Sequence, residues 1–122
     1  MNTSDEKKVY MLLKAVIFHY HGLDEAERSD LERAASDNNA KEELVWANKF
    51  ISQDHVTAFE RARNYLKDII ADYPKPRRIE LINMVWQANN LKGYVTEMEA
   101  TAMFRFAKDW NVQEELIRLV LE

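Results

Sequence analysis

The densest group of potential metal ligands in this chain occupies nine positions, from residue 19 to residue 27. The group consists of His19, His21, Asp24 and Glu27. Neutral imidazole nitrogens and carboxylate oxygens together can hold a transition-metal ion. Because residues two apart point to different sides of a helix, both histidines could bind one ion only if the helix has ended at Gly22. With Glu99 added, these residues are the candidate metal ligands, and a divalent metal ion is the single cofactor that the sequence leaves open.

The same carboxylates are also explained by helix capping. Asp24 precedes a helical pattern and is followed three positions later by Glu27. The same spacing recurs from Thr96 to Glu99. This is the capping-box spacing, in which the two side chains satisfy backbone N–H groups at the start of a helix, and each cap is worth roughly 1 kcal/mol. A histidine near the end of a helix, such as His19, is favoured by the helix dipole without any metal. The sequence therefore favours capping, with a residual acidic metal site as the alternative.

A second candidate site is a group of cations around Pro76. This proline is well placed as the first residue of a helix, where its missing N–H costs nothing. Its neighbours Lys75, Arg77 and Arg78 are all basic. Cations in the first turn of a helix oppose its dipole and cost roughly a few tenths of a kcal/mol each. Such a local penalty can mark a surface that binds phosphate or an acidic partner, and the alternative is a solvated loop.

No motif of a catalytic site is present. The sequence has no P-loop, no Gly-x-Ser-x-Gly, no His-Glu-x-x-His and no EF-hand pattern. Cysteine is absent, which excludes disulfides, thiolate metal sites and cysteine nucleophiles. We therefore expect a protein that is not an enzyme.

Composition and charge narrow the classes of partner. The net charge of −4 argues against general affinity for nucleic acid, because such binding needs a basic surface. No apolar run is long enough to cross a membrane, and the N-terminal residues lack the features of a signal peptide. The sequence thus predicts a cytoplasmic protein with no nucleic-acid partner and no membrane span.

Hydrophobic spacing predicts an all-α fold of about seven helices in one domain over residues 1–122. Only two glycines and two prolines are present, too few for the many turns of a sandwich or a barrel. Apolar residues instead recur at three- and four-residue steps, as on one face of a helix. The predicted helices begin at Asp5, Asp24, Asn39, His55, Pro76, Thr96 and Asn111.

Burial is predicted from the same spacing. The helix that begins at Thr96 is apolar nearly all round, so we expect it to be buried at the centre of the domain. Five aromatic side chains at helical spacing are expected in the core, and the alternative is that they line a ligand pocket. These are Trp46, Trp86, Phe104, Phe106 and Trp110.

The signals for helix starts repeat with a shift of 72 residues. The letters Asp24-Glu25-x-Glu27 return as Thr96-Glu97-x-Glu99, and Asn39-x-x-Glu42-Glu43-Leu44 returns as Asn111-x-x-Glu114-Glu115-Leu116. Two helix starts at one separation, occurring twice, predict a duplicated helix-loop-helix unit. We place the repeat at residues 5–50 and 76–122, with a connecting helix at about 55–71, and interpret both asparagines as N-caps.

The second repeat also carries a family pattern. Gly93, Val95 and Glu99 fit the pattern Asp-Gly-x-[Ile/Val]-x-x-x-Glu at the start of a helix, and the segment from His21 to Glu27 is a one-residue-shorter echo. In this the chain resembles the TerB-like domains. These are helical modules named for bacterial tellurite-resistance proteins and also found ahead of J-domains in some co-chaperones. The resemblance implies a TerB-like helical bundle that is not an enzyme and acts through protein–protein contacts, in a stress response such as tellurite resistance.

The resemblance also implies acidic clusters that bind metal ions. The Asp of the family pattern and its later Glu contribute to those clusters. Here the Asp position is occupied by Lys92 in the second unit and by His21 in the first. Because hard cations need several oxygen ligands, the resemblance supports the fold more than the metal site.

Two surfaces are candidates for contact with a protein partner. One is the helix segment from Glu25 to Glu32, and the other is the basic corner from Lys75 to Arg78. The apolar run Leu119-Val120-Leu121 could support self-association, so the sequence predicts a monomer or a weak homodimer.

Overall fold

The structure is a computed structural model that describes residues 3–20, 24–90 and 95–121. Over these residues the chain forms α-helices and no strand, which confirms the predicted all-α class. The helices are α1 (Ser4–Tyr20), α2 (Glu25–Asp37), α3 (Lys41–Ser52), α4 (Ala58–Ile70), α5 (Lys75–Asn90), α6 (Glu97–Asp109) and α7 (Gln113–Leu121). None of these helices combines the length and the apolar character needed to cross a bilayer.

The chain divides into two compact units, Met1–Ala62 and Arg63–Glu122, and the boundary lies inside α4. In the first unit, α1, α2 and α3 pack on one another, and α1 packs most extensively on α3. In the second unit, α5, α6 and α7 pack on one another. A single domain, a TerB-like bundle and a duplication stay predictions.

The first helix is enclosed over ten consecutive residues, from Val9 to Phe18. Its ends suit the helix dipole, with Asp5 and Glu6 in the first turn and His19 in the last. Nine of the ten enclosed residues are apolar or aromatic, and the tenth is Lys14. An enclosed ammonium must find an anionic partner, which constrains the neighbouring helix.

The expectation that α6 is buried on nearly all sides is wrong. Its side chains Ala102, Met103 and Phe106 are buried, but Met98 is 47 % exposed and Arg105 is exposed. The apolar letters of α6 thus include residues that face solvent, which composition alone does not reveal. Among the described helices, α1 has the longest run of buried residues.

Both predicted capping boxes are present. Asp24 Oδ1 accepts from the backbone N–H of Glu27 at 2.7 Å, and the N–H of Asp24 donates to Glu27 Oε1 at 3.3 Å. In the second unit, Thr96 Oγ1 accepts from the N–H of Glu99 at 3.1 Å, and the N–H of Thr96 donates to Glu99 Oε1 at 3.1 Å. Capping of α2 and α6 is therefore confirmed.

The predicted N-cap role of Asn39 and Asn111 is wrong, because both residues end the preceding helix. Asn39 has a φ of 53°, in the left-handed region. Its N–H donates to Ser36 O at 3.3 Å, and the N–H of Ala40 donates to Ala35 O at 2.7 Å. This pair of bonds is a Schellman motif, which closes α2. The buried residue Ala40 then serves as the N-cap of α3 without a side-chain hydrogen bond.

The same turn closes α6. Asn111 has a φ of 57°, and its N–H donates to Lys108 O at 3.1 Å. The N–H of Val112 donates to Ala107 O at 2.8 Å, and Val112 is buried. Asparagine tolerates the left-handed conformation better than most residues with a side chain. The repeated asparagine therefore encodes the end of one helix rather than the start of the next.

The fourth helix begins at Ala58 rather than at the predicted His55. Before it, Asp54 Oδ1 accepts from the N–H of Val56 at 3.0 Å, the bond of an Asx-turn. Because Val56 lies in this turn and not on the buried face of α4, it is 93 % exposed. The buried positions of α4 recur at four-residue steps and are Ala58, Ala62, Leu66 and Ile70.

The predicted aromatic core is confirmed in part. Trp86, Phe106 and Trp110 are buried, and the last two rings meet edge to face with centroids 6.1 Å apart. Trp46 and Phe104 are only half-buried. The ring of Trp46 packs against Phe50, four residues later, at a centroid distance of 5.7 Å.

The Schellman assignment predicts different outcomes for two substitutions at Asn39. Serine caps helix starts as well as asparagine does but is disfavoured at positive φ, so Asn39→Ser should lower the free energy of unfolding by about 1 kcal/mol. Glycine suits positive φ, so Asn39→Gly should leave stability unchanged or raise it. Urea unfolding followed by circular dichroism measures both, and a neutral Asn39→Ser with a destabilised Asn39→Gly would instead support the N-cap role.

Candidate functional site

The first unit contains a cleft of about 410 Å³ between its three helices and the turn that follows α3. One face of α2 contributes Arg28, Leu31 and Glu32. Each of the other two walls carries a histidine, His19 at the end of α1 and His55 in the turn. The residues that α3 contributes share one helix face and are Leu44, Val45, Asn48, Lys49 and Ser52.

The cleft is cationic although the unit around it is acidic. Residues 1–62 contain twelve Asp and Glu against eight Lys and Arg. Among the described residues that line the cleft, however, Arg28 and Lys49 carry positive charge and Glu32 alone is acidic. Arg28 makes one long ion pair, 3.9 Å from Glu25 Oε2, in which both side chains are well exposed. Such a pair neutralises little charge, so the cleft keeps a local excess of positive charge.

His19 and His55 form a pair across the cleft. Their ring centroids are 6.2 Å apart, and the rings are tilted by 46°. Burial lowers the pKa of His19 below its usual value, and the imidazole of His55 and the guanidinium of Arg28 lower it further. The protonated form of His19 is thus disfavoured where cations already converge, and an anion in the cleft would reverse that effect.

A smaller cavity of about 240 Å³ shares these two histidines. Its remaining lining consists of hydrocarbon and aromatic side chains, namely Val16, Ile51, Val56, Ala58 and Phe59. Val56, which is almost fully exposed, stands at its rim. The histidine pair therefore lines both cavities.

The ion pair of Lys14 sets the position of α2, and with it Arg28. Lys14 is 1 % exposed, and its Nζ donates to Asp30 Oδ2 at 2.7 Å. The same ammonium lies 4.9 Å from the ring centroid of Phe18. Burial lowers the pKa of Lys14, and the hydrogen bond and charge of Asp30 oppose that shift. Since Asp30 lies on the helix that carries Arg28, Leu31 and Glu32, the pair holds this wall of the cleft against α1.

Arg61 holds the turn that carries His55. Its guanidinium donates to Phe50 O at 2.9 Å and to Asp54 O at 2.8 Å, and its Nε donates to Thr57 Oγ1 at 2.9 Å. These bonds tie the start of α4 to the end of α3 across the turn. Hydrogen bonds from Thr57 and then from Val56 lower the pKa of Asp54. The carboxylate therefore stays ionised at neutral pH and can accept these bonds within the turn. The position of His55 is thereby fixed from both sides.

The predicted metal ligands are only partly brought together. Asp24 and Glu27 contact each other in the capping box, whereas His19 faces His55. His21 lies outside the described residues, as do Lys92 and Gly93 of the family pattern. Glu99 is fully buried in the capping box of α6. Among the described residues, no three His, Asp or Glu side chains are grouped so that they could hold an ion, and metal binding stays a prediction.

The predicted basic corner has contacts within the second unit. Arg78 donates to Tyr73 O at 3.0 Å and to Trp110 O at 2.8 Å. Arg77 pairs with Glu80 at 3.0 Å, and Lys75 pairs with Glu115 at 3.4 Å. The carbonyls of Tyr73 and Trp110 and nearby carboxylates thus offset the dipole penalty that singled out these cations. Partner binding at this corner stays a prediction.

Sequence reasoning missed three residues of the cleft, Arg28, Lys49 and His55. A partial signal was available, since positions 28, 31 and 32 share a face of α2 and positions 44, 45, 48, 49 and 52 share a face of α3. Spacing does not show that these two faces meet, nor that a turn brings His55 beside His19. Arg28 does lie inside the Glu25–Glu32 segment that was predicted as a partner surface.

The chain matches no protein-family model, no curated protein and no solved structure. The described residues define an all-helical protein with a cationic cleft in its first unit.

The Lys14–Asp30 pair predicts an asymmetry between two single substitutions. Asp30→Ala leaves a buried ammonium without its carboxylate and should lower the free energy of unfolding by about 3 kcal/mol. Lys14→Met leaves an aspartate that is 27 % exposed and can be hydrated, so it should cost about 1 kcal/mol. Thermal and urea unfolding measure both, with exposed Asp37→Ala on the same helix as the control. Equal losses for the two variants would contradict the proposed constraint.

Proposed function

We propose that this protein is a non-enzymatic binding module of TerB-like type, and that it binds a protein partner through the cleft of its first unit. The observation that carries the proposal is the excess of positive charge in a concave site within an acidic unit. Surfaces of opposite charge steer partners together and discriminate against wrong ones. The partner segment therefore presents an anionic group to Arg28 and Lys49.

The chemistry of the cleft supports binding rather than catalysis. Its hydroxyl group, on Ser52, donates to Lys49 O at 3.2 Å and so has a backbone partner of its own. The two histidines face each other rather than a nucleophile. Cationic donors around an apolar floor of Leu31 and Leu44 suit recognition of a charged group attached to an apolar one.

A role in a bacterial stress response, such as tellurite resistance, rests on the family resemblance at Gly93, Val95 and Glu99. Likeness of fold is a weak guide to function, whereas the charged cleft is a property of this chain. The proposal accordingly places recognition in the cleft and assigns the cytoplasm as its compartment on the residue composition alone.

A charge-reversal experiment tests the proposed site. The bait is the full chain with Arg28→Glu and Lys49→Glu, and it is compared with the wild type in affinity purification from the native cell. The matched control is Arg33→Glu with Lys41→Glu, since these exposed cations lie on the same two helices and outside the lining of the cleft. We expect the wild type and the control to capture the same partner, and the cleft variant to capture at least about tenfold less, because each charged contact is worth roughly 1.5–3 kcal/mol.

Circular dichroism first establishes that the two variants melt at similar temperatures. Undiminished capture by a folded cleft variant, or an equal loss in the control, would overturn the proposed site.

A further inference from the structure

We propose that the anionic group bound by the cleft is a phosphate monoester, whose phosphate contacts Arg28 and Lys49 beside the histidine pair and whose apolar part enters the adjoining cavity. This inference rests on the proposed function, because it names the chemistry of the group that the cleft recognises. It draws on donor number, on the two adjoining cavities and on the charge around His19.

The donors of the cleft suit a phosphate better than a carboxylate. Arginine offers five N–H donors and lysine offers three, and the side-chain amide of Asn48 adds two more. A phosphate monoester carries a charge of roughly −1.5 to −2 and three strongly accepting oxygens, whereas a carboxylate carries one charge and two oxygens. The described lining residues carry two cations and one carboxylate, Glu32, so a dianion is balanced in charge when His19 is also protonated.

The two cavities indicate that the phosphate is attached to an apolar group. The cleft measures about 410 Å³, within the usual range for sites that hold small organic molecules and far larger than one phosphate. The second cavity, of about 240 Å³, is lined by the same two histidines and by hydrocarbon side chains that include Ile51 and Phe59. A monoester with a ring or chain beside its phosphate can occupy both spaces.

Because charged groups surround His19, the affinity for the phosphate monoester should depend on pH. His19 faces His55, and Arg28, Lys49 and Glu32 line the same cleft. Burial and the neighbouring His55 and Arg28 lower the pKa of His19. A bound dianion stabilises the protonated imidazole and therefore opposes that lowering. Affinity should therefore rise as the pH falls from neutrality, until the phosphate itself gains a proton near about pH 6.

Titrations of the full chain followed by ¹H–¹⁵N NMR test the proposal. Phenyl phosphate and benzoate are matched probes, since they share a ring and differ in the anionic group. We expect phenyl phosphate to shift the amide signals of residues that line the cleft and to bind at least about tenfold more tightly than benzoate, in line with the stronger charge-assisted bonds of phosphate. Benzoate binding as tight as phenyl phosphate, or shifts confined to other residues, would overturn the phosphate assignment.

Neutral substitutions locate the bound phosphate. Arg28→Gln and Lys49→Gln should each weaken phenyl phosphate binding by at least about tenfold, whereas Arg33→Gln and Lys41→Gln should change it less than about twofold. Equal weakening by all four would show attraction to the surface in general and would overturn the site. Retained amide spectra keep the result interpretable, because a variant that fails to fold is recognised at once.

Two further results separate this inference from the proposed function. If the charge-reversed bait loses its partner while phenyl phosphate fails to bind, the cleft remains a protein-binding site and the phosphate assignment is wrong. If phenyl phosphate binds at the cleft while the charge-reversed bait captures the partner undiminished, the protein-binding role is wrong and the phosphate site stands.

A phosphoserine peptide and its unphosphorylated form distinguish the two sources of the phosphate. Tight binding of the phosphopeptide supports a protein ligand, and binding of phenyl phosphate alone supports a small molecule.

Discussion

The buried ammonium of Lys14 is the constraint on which the first unit depends. It lies within ten consecutive enclosed residues of α1, where a charge is tolerated only with a close counter-ion. Asp30 supplies that counter-ion at 2.7 Å, and in doing so fixes how α2 lies against α1. The segment of α2 that carries Arg28, two residues before Asp30, is placed by that contact. A cleft with a cationic wall is thus a consequence of how one lysine is accommodated in the core.

The two halves of the chain share local structure but not the cleft. Capping boxes and Schellman turns occur 72 residues apart with the same backbone bonds. At the same shift, however, Arg28 corresponds to Ala100, Glu32 to Phe104 and Lys49 to Leu121. The repeated letters specify helix ends, whereas the charged residues of the cleft occur in the first unit alone. The residues proposed to bind a partner are therefore among those that differ between the two halves.

Sequence reasoning reached the fold class and the capping boxes because both depend on residues close together in the chain. It misread Asn39 and Asn111, since asparagine suits a helix start and a left-handed turn equally well, and only the backbone φ distinguishes them. It expected His55 at the start of a helix, and missed that Asp54 and Arg61 hold it in a turn beside His19. The cleft could not be predicted because it forms where faces of three helices meet, which periodicity does not specify.

The central claim is that His19 lies in a cleft whose positive charge is only partly balanced by nearby carboxylates. The most direct measurement is the pKa of the His19 imidazole, followed by NMR in the wild type and in Arg28→Gln. The account predicts a pKa below the ordinary value of about 6.5 in the wild type, and a higher pKa once the charge of Arg28 is removed. A wild-type pKa at or above that ordinary value, or one that Arg28→Gln leaves unchanged, would contradict it.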